Sequence, residues 1–527
     1  MNQTLLLGLD GATFTILDPL MEEGIMPFLK GFIAGGVRAE LLSTPHPLTP
    51  PAFTSLLTGR SPGIHGIYDF IKVEEREGSP FFTLYDSRDV RCETLWSIAN
   101  RQKRKVISLN FVLTSPVKPL NGCVIPGMVH WRHLRRHTYP ENLYERIKSL
   151  PGFDAKKLAW DFKQEEKALH LNEEIEYEGW ILHHIEREKG WFQIMRYLMK
   201  EEPADLAAIV FDGGDKIQHL CWQFLDPGFL PSNPSGWERR MRELALTYFR
   251  NLDNFLQQLV EMAGPEARVF IASDHGFGPT RLRFRVNQFL TDKGYLKWNE
   301  RSDSKDTVRT DSDVVDLDWE NTLAYARTRS SNGVYIRSAR KPGDKGIRPE
   351  EYSGFRNKLA QELLDFKDPE TGEKVVSGIL FPEETFPGPA SDQAPDLTLV
   401  LSDRSFVSIS RGYPVVEHRK RVGGTHYPEG IFLAKGKGIN KGTGLGTLSI
   451  LDIMPAVLYS LGLPVPEDLE GKFPTSVFQK EYLETNPAVT GPATEKVWGP
   501  ESQIGDTYNE AEKKEVYEHL KALGYME

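Results

Sequence analysis

Thr4-Leu5-Leu6-Leu7-Gly8-Leu9-Asp10-Gly11 is the stretch on which the fold turns. Between Leu5 and Leu9 no side chain is polar, and an acid follows at once. A strand with one wet face alternates apolar and polar residues, whereas an unbroken apolar run of this length suits a strand covered on both faces of a largely parallel sheet. The same pattern recurs in Val106–Leu109 before Asn110, Leu206–Phe211 before Asp212, Val269–Ala272 before Ser273-Asp274, and Leu397–Leu401 before Ser402. All five runs are expected to be strands of such a sheet.

Helical segments separate the runs. From Glu238 to Met262 the residues Met241, Leu244, Tyr248, Leu252, Phe255, Leu256 and Leu259 fall at helical spacing with charges opposite, and Gly264-Pro265 is a stop signal. Strand alternating with helix predicts an α/β fold, a three-layer αβα body whose ligands gather at the carboxyl ends of the strands. A chain of 527 residues exceeds what one core usually supports. The catalytic core is therefore expected in three parts, 1–127, 205–284 and 391–475. A helical insertion at 128–204 and a cap subdomain at 285–390, opening with the polar run Asn299–Asp318, are read as inserted segments covering a site. The tail, 476–527, is expected to begin as loop and to end in an amphipathic helix near Glu510–Leu523 capped by Gly524.

Composition excludes several classes. With 64 basic against 74 acidic residues the formal charge is −10, which argues against a surface committed to nucleic acid or anionic membrane. Cys92, Cys123 and Cys221 form no CxxC pair and no even framework, so a disulfide scaffold is excluded in favour of free thiols. No apolar run reaches membrane-spanning length, and the first residues lack a basic leader. A soluble, cytoplasmic protein is the expectation, with export of a longer precursor as the alternative.

Chemistry-bearing residues stand at the ends of the apolar runs. Asp10, Thr49, Asp215 with His219, Asp274 with His275, and His426 together offer seven oxygen and nitrogen donors, enough for two metal ions. Paired ions stabilise both the attacking and the leaving oxygen in phosphoryl displacement. Thr49 leads Pro50-Pro51 and a segment ending at Gly59, which predicts a helix with Thr49 as its N-cap, where free N–H groups and the helix dipole favour a phosphate. Asp215 and His219 lie at i and i+4 and face the same way on a helical turn. Gly276 after Asp274-His275 would permit a sharp turn that lets the adjacent side chains converge. His426 lies in the glycine-rich Gly423-Gly424-Thr425-His426. Each signal alone has a structural reading: a capping threonine, a chance pair, a polar strand end, a surface histidine.

The order Leu9-Asp10-Gly11, Thr49-Pro50-Pro51 with Thr58-Gly59-Arg60-Ser61-Pro62-Gly63-Ile64-His65-Gly66-Ile67, Asp215 through His219, Ser273-Asp274-His275-Gly276-Phe277-Gly278 and Gly424-Thr425-His426 resembles the alkaline phosphatase superfamily. Within it, the type I phosphodiesterase and nucleotide pyrophosphatase branch is the nearest likeness, including a group of prokaryotic phosphohydrolases or phosphomutases. The resemblance implies a phosphoric-ester hydrolase of alkaline phosphatase-like fold. It assigns Asp10, Thr49, Asp274 and His275 to one ion and Asp215, His219 and His426 to the other, with zinc ahead of manganese. It further implies Thr49 as nucleophile, a phosphothreonine intermediate, and a small phosphorylated substrate, with nucleotide-like ones among the candidates. A phosphomonoesterase or phosphomutase is the alternative, and a metal-binding or signalling protein without turnover is a second. Sulfatase chemistry is set aside, because Thr49-Pro50-Pro51-Ala52-Phe53 offers no residue for conversion to formylglycine.

One departure from the family pattern is Ala52, where the resemblance leads us to expect a phosphate-binding asparagine. Asn110 is a candidate replacement donor, and Arg135, in the cluster Arg132-His133-Leu134-Arg135-Arg136-His137, is a candidate anion clamp with a solvated basic face as the alternative. His65 is expected to pack or hydrogen-bond beside the site. Asp212 stands near Asp215, but the spacing to His219 favours Asp215.

Overall fold

The computed structural model describes residues 3–76, 79–158, 174–299, 317–339 and 343–495. At its centre the Thr4–Leu9 strand lies between Leu206–Phe211 and Arg268–Ala272, parallel to both, with Leu7 in register with Ile209 and Ile271. On one side Val106–Leu109 and Gly122–Ile125 continue the parallel run. On the other, Glu429–Lys435 runs antiparallel and pairs in turn with Val37–Leu42, giving a nine-stranded sheet edged by Thr443–Gly444 and Leu448–Ser449.

Why the first run is apolar throughout is now visible. Successive side chains of a strand point to opposite faces. Leu5, Leu7 and Leu9 enter a core built with the helices Phe14–Glu22, Glu174–Glu201 and Gly236–Ala263, whereas Leu6 enters the opposite core with Thr49–Thr58, Leu95–Arg101 and Ile453–Ser460. Both faces are covered, and burial of each leucine contributes roughly 2 kcal/mol. The result is the expected three-layer α/β body.

The long helix spans Gly236–Ala263, and the buried positions include Met241, Leu244, Tyr248, Leu252, Phe255, Leu256 and Leu259, the set read from the spacing. Ser235 and Glu238 close a capping box at its start, and Gly264, with φ +86°, ends it. Phe255 stacks on Phe192 of Glu174–Glu201 with centroids 4.4 Å apart, which ties two helices of one layer together.

One strand is placed elsewhere. Leu397–Leu401 pairs antiparallel with Gly333–Ile336 and Val376–Leu380 in a separate four-stranded sheet that has its own core, in which Leu359 and Leu363 of the helix Pro349–Asp365 take part. An apolar run reports that both faces are covered, not which sheet does the covering. A two-stranded ribbon, Gly276–Phe284 with Val416–Tyr427, leads from the central sheet and returns to it. In the tail, a short helix Lys480–Thr485 precedes Thr490–Gly491, which pairs with Val465–Pro466; the expected helix near Glu510–Leu523 lies outside the described residues. Among the described residues no helix is long and apolar enough to cross a membrane.

Candidate metal centre

Every element that brings a site residue begins or ends at the carboxyl ends of the central parallel strands. Asp10 follows the central strand, Asp274 and His275 follow Arg268–Ala272, and Asp215 with His219 lie in the helix Gly213–Leu225 that follows Leu206–Phe211. Thr49 opens the helix Thr49–Thr58, and His426 sits near the end of the ribbon strand Val416–Tyr427. The expected cap is shifted by one residue. Leu48 is the capping position, and Thr49 is the first helical residue, so its hydroxyl caps nothing and its Oγ1 lies 3.3 Å from His275 Nε2.

The structure brings the acids and histidines together as two triads. Asp10, Asp274 and His275 offer ligand atoms all within 4.8 Å of one another, and so do Asp215, His219 and His426. In the first, His275 Nε2 is 3.5 Å from Asp10 Oδ1 and 3.3 Å from Asp274 Oδ2. In the second, His426 Nε2 is 3.0 Å and His219 Nε2 3.4 Å from Asp215 Oδ1. The His275 and His426 rings stack with centroids 3.7 Å apart and join the triads.

The hydrogen bonds of the three imidazoles fix what they can do. A backbone carbonyl only accepts, so Nδ1 of His219 donates to Gly424 O, Nδ1 of His275 to Gly276 O and Nδ1 of His426 to Pro47 O, each at 3.0 Å. A neutral ring held this way turns an Nε2 lone pair inward. His219 Nε2 and His426 Nε2 then face each other at 3.1 Å, beside a carboxylate oxygen. Acceptors converging on acceptors repel unless a cation lies among them. Asp10 Oδ1 and Asp274 Oδ2 are likewise buried with no hydrogen-bond partner. Mixed carboxylate and imidazole donors of this kind fit divalent ions such as zinc.

Charge in the site follows burial. Asp10 is driven well above the usual carboxylate range by burial and then by the charges of Asp274 and Asp215. Burial also lifts Asp274 to about 7. Desolvation holds His275 down to about 4 and His426 to about 3, so both rings are neutral near pH 7. Asp215 is the exception. Burial pushes it up, but Lys216, whose Nζ lies 2.9 Å from Asp215 Oδ2, and the neighbouring histidines hold it well below the ordinary value.

A family model for type I phosphodiesterase / nucleotide pyrophosphatase matches residues 4–428, the interval that contains every one of these residues. The chain belongs to this family. Its membership bears out the expected phosphoric-ester hydrolase and the superfamily resemblance. Among solved structures it is similar to murine ectonucleotide pyrophosphatase / phosphodiesterase 5, at 13% identity over 90% of this chain and 100% of that one, with a TM-score of 0.53. An inactive form of that murine protein in complex with AMP matches at 13% identity, 90% and 98% coverage and a TM-score of 0.52. Phosphonoacetate hydrolase from Sinorhizobium meliloti, in complex with phosphonoformate, matches at 16% identity, 87% and 95% coverage and a TM-score of 0.50. At these identities the likeness shows a shared fold. No curated protein sequence matches significantly.

Around the two triads the other expected residues take varied places. Asn110, with φ +61°, donates its amide to Val210 O at 2.9 Å and lies against Asp212. Arg135 is 71% exposed and pairs with Glu145 at 3.1 Å, on the solvated face. Ala52 is fully buried and belongs to the apolar cluster that also holds Phe53 and Leu56. His65 is buried and its Nε2 lies 2.9 Å from Ser55 Oγ, which braces the Thr49 helix. Gly276 is required for a different reason from the expected turn. It is not among the glycines of positive φ, but a Cβ there would stand 1.9 Å from Glu429 O.

Three supporting groups were not singled out from the sequence. Lys216 braces Asp215, Arg187 pairs with Asp212 inside the protein, and Glu188 accepts from Gly213 N at 2.9 Å at the start of the helix that carries Asp215. A signal for the last existed: Glu188 occupies the apolar stripe of Ile181, Ile185, Trp191 and Met195 on its helix.

Proposed function

We propose that the chain is a metal-dependent phosphodiesterase or nucleotide pyrophosphatase in which Thr49 is the nucleophile. The observation that carries the reading is the inward set of Nε2 lone pairs and buried carboxylate oxygens with Thr49 Oγ1 at its edge, 3.3 Å from His275 Nε2. Asp10, Asp274, His275 and Thr49 would hold one divalent ion, and Asp215, His219 and His426 the other, zinc ahead of manganese. Such ions lower the pKa of a hydroxyl and a water and neutralise phosphoryl oxygens.

The chain's own part begins with position. Thr49 heads a helix of ten residues; Pro50 and Pro51 carry no N–H and Ala52 N bonds to Leu48 O, so the Thr49 N–H and the positive dipole end are what the first turn offers a phosphoryl group. Attack of Thr49 Oγ1 on phosphorus forms a Thr49 O–P bond, breaks the bond to the leaving oxygen and yields a phosphothreonine. Water then displaces Thr49 and releases the second product. The substrate class is a small diester or pyrophosphate, nucleotide-like in keeping with the AMP held by the murine structure.

The test is turnover of bis-p-nitrophenyl phosphate against p-nitrophenyl phosphate by the metal-reconstituted chain, with Thr49→Ala and His219→Ala as controls. A preference for the diester, abolished in Thr49→Ala, is expected. Equal rates in wild type and Thr49→Ala would remove Thr49 from the role, and a preference for the monoester would point to phosphomonoesterase or mutase chemistry.

A further inference from the structure

A cavity of about 1230 Å³ lies between the segment after the Thr49 helix and the small antiparallel sheet. It exceeds the usual range for a small-molecule site, roughly 300–1,000 Å³. None of the triad residues lines it, but two contacts connect its wall to the segment around Thr49. Tyr85 lines both this cavity and the small pocket that reaches Pro50, next to Thr49. Ser330, three residues after the cavity residue Arg327, accepts a hydrogen bond through its carbonyl from His46, on the approach to Thr49.

Arg327 is what distinguishes the cavity. Its side chain is buried, with 8% exposure, and its guanidinium lies over the Tyr335 ring, 3.8 Å from the centroid. Among the described residues it makes no hydrogen bond or ion pair, and its Nε is sealed from solvent with no partner. The Tyr335 hydroxyl, on a residue equally buried, is also without a partner. Of the other cations lining the cavity, Lys72 is spent on Asp89 at 2.6 Å, Arg88 on Asp86 at 2.6 Å and Arg60 on Asp468, while Arg91 is exposed to solvent. Asp69 is the acid electrostatically nearest Arg327, but it accepts from Thr328, from Ser330 Oγ at 2.6 Å and from Phe70 N at 2.7 Å.

The Nε donor of this guanidinium is taken out of water and left unmatched, which is costly unless something satisfies the group. An oxyanion does so in a bidentate way, and a tyrosine hydroxyl beside it adds a donor. The Tyr335 ring covers one face of the guanidinium and leaves its edge for a ligand.

We propose that Arg327 and the Tyr335 hydroxyl bind a phosphate-type oxyanion in this cavity, carried either by a part of the substrate remote from the scissile bond or by free phosphate. The first source rests on the phosphoric-ester reading above. Binding itself does not.

Titration calorimetry of the full chain, stripped of metal, with inorganic phosphate reads the site without the triads. Wild type should bind, Arg327→Met should lose at least about ten-fold in affinity, and Arg327→Lys should keep part of it. The metal-loaded protein is then assayed on thymidine 5′-(p-nitrophenyl phosphate) with and without a 3′-phosphate. If the substrate carries the anion, Arg327→Met lowers kcat/KM for the 3′-phosphorylated ester by about ten-fold and leaves the unphosphorylated ester within about two-fold. Phosphate binding that depends on Arg327, with no discrimination between the esters, assigns the site to free phosphate.

Arg327→Met removes an unmatched buried charge and should melt no lower than wild type without phosphate; Arg327→Lys provides the reading should it fail to fold. Wild-type phosphate affinity and ester selectivity in a folded Arg327→Met protein would overturn the proposal, as would the absence of both from wild type. Failure of every ester to turn over would count against the proposed function, while the calorimetry would still report on Arg327.

Discussion

Replacing Gly276 by alanine should disable the site without changing the identity of any of the seven triad and nucleophile side chains. The new Cβ would stand 1.9 Å from the Glu429 carbonyl oxygen and 2.5 Å from its carbon, backbone atoms of the strand that pairs with Arg268–Ala272. Real Cβ atoms essentially never come closer than 3.0 Å, so the strands must part by about 1.1 Å. Asp274 and His275 immediately precede Gly276, so the displacement falls on one triad. Overpacking of this kind costs roughly 1–3 kcal/mol of stability, and a misplacement near 1 Å costs about 10²-fold in rate. Urea denaturation and turnover of bis-p-nitrophenyl phosphate read the two effects separately. Gly31→Ala is the control, because its Cβ would meet nothing within 4 Å. A Gly276→Ala protein with wild-type turnover would refute the claim that close strand approach sets the geometry of the triads.

Other outcomes follow from the same physics. Burial holds His65 down to about 3 against an ordinary 6.5, so the fold keeps it neutral while the unfolded chain takes up protons. Its contribution is in place above pH 6.5 and is lost as pH falls towards 3, by about 2–3 kcal/mol between pH 7 and 4.5. Urea midpoints at the two pH values should show this loss in wild type and a smaller one in His65→Gln; equal losses would clear His65 of the effect. Ser235→Ala removes the capping box of Gly236–Ala263 and should cost about 1 kcal/mol in the same assay, with turnover unchanged. Thr49→Ala should lower kcat by at least about 10³-fold without lowering the melting temperature, measured by initial rates and by thermal denaturation.

Legibility in the sequence followed the strength of each constraint. Leu5 to Leu9 could be read as a central strand because both faces of that strand are covered, and the stripe from Met241 to Leu259 could be read because one helix face is buried along its whole length. The convergence of Asp10, Asp274 and Asp215 at one end of the sheet followed from their places at strand ends. Leu397–Leu401 went to another sheet because pairing partners leave no mark on an apolar run. Gly276 was singled out for a turn, yet what it avoids is Glu429, a residue 153 positions later that no local pattern can announce. Ala52 stands out by its sequence distance from Thr49, yet it is a buried member of an apolar cluster, which sequence distance does not reveal. Arg327 shows no local anomaly at all; only the cavity around it makes its lack of a partner visible.

The inward lone pairs of the two neighbouring triads are expected to hold two divalent ions. Elemental analysis of bound metal after equilibration with zinc and gel filtration tests this, in wild type and in His219→Ala. Two ions per wild-type chain and one in His219→Ala, with the first triad still occupied, is the predicted result. One ion or fewer in wild type, or no loss in His219→Ala, would contradict it.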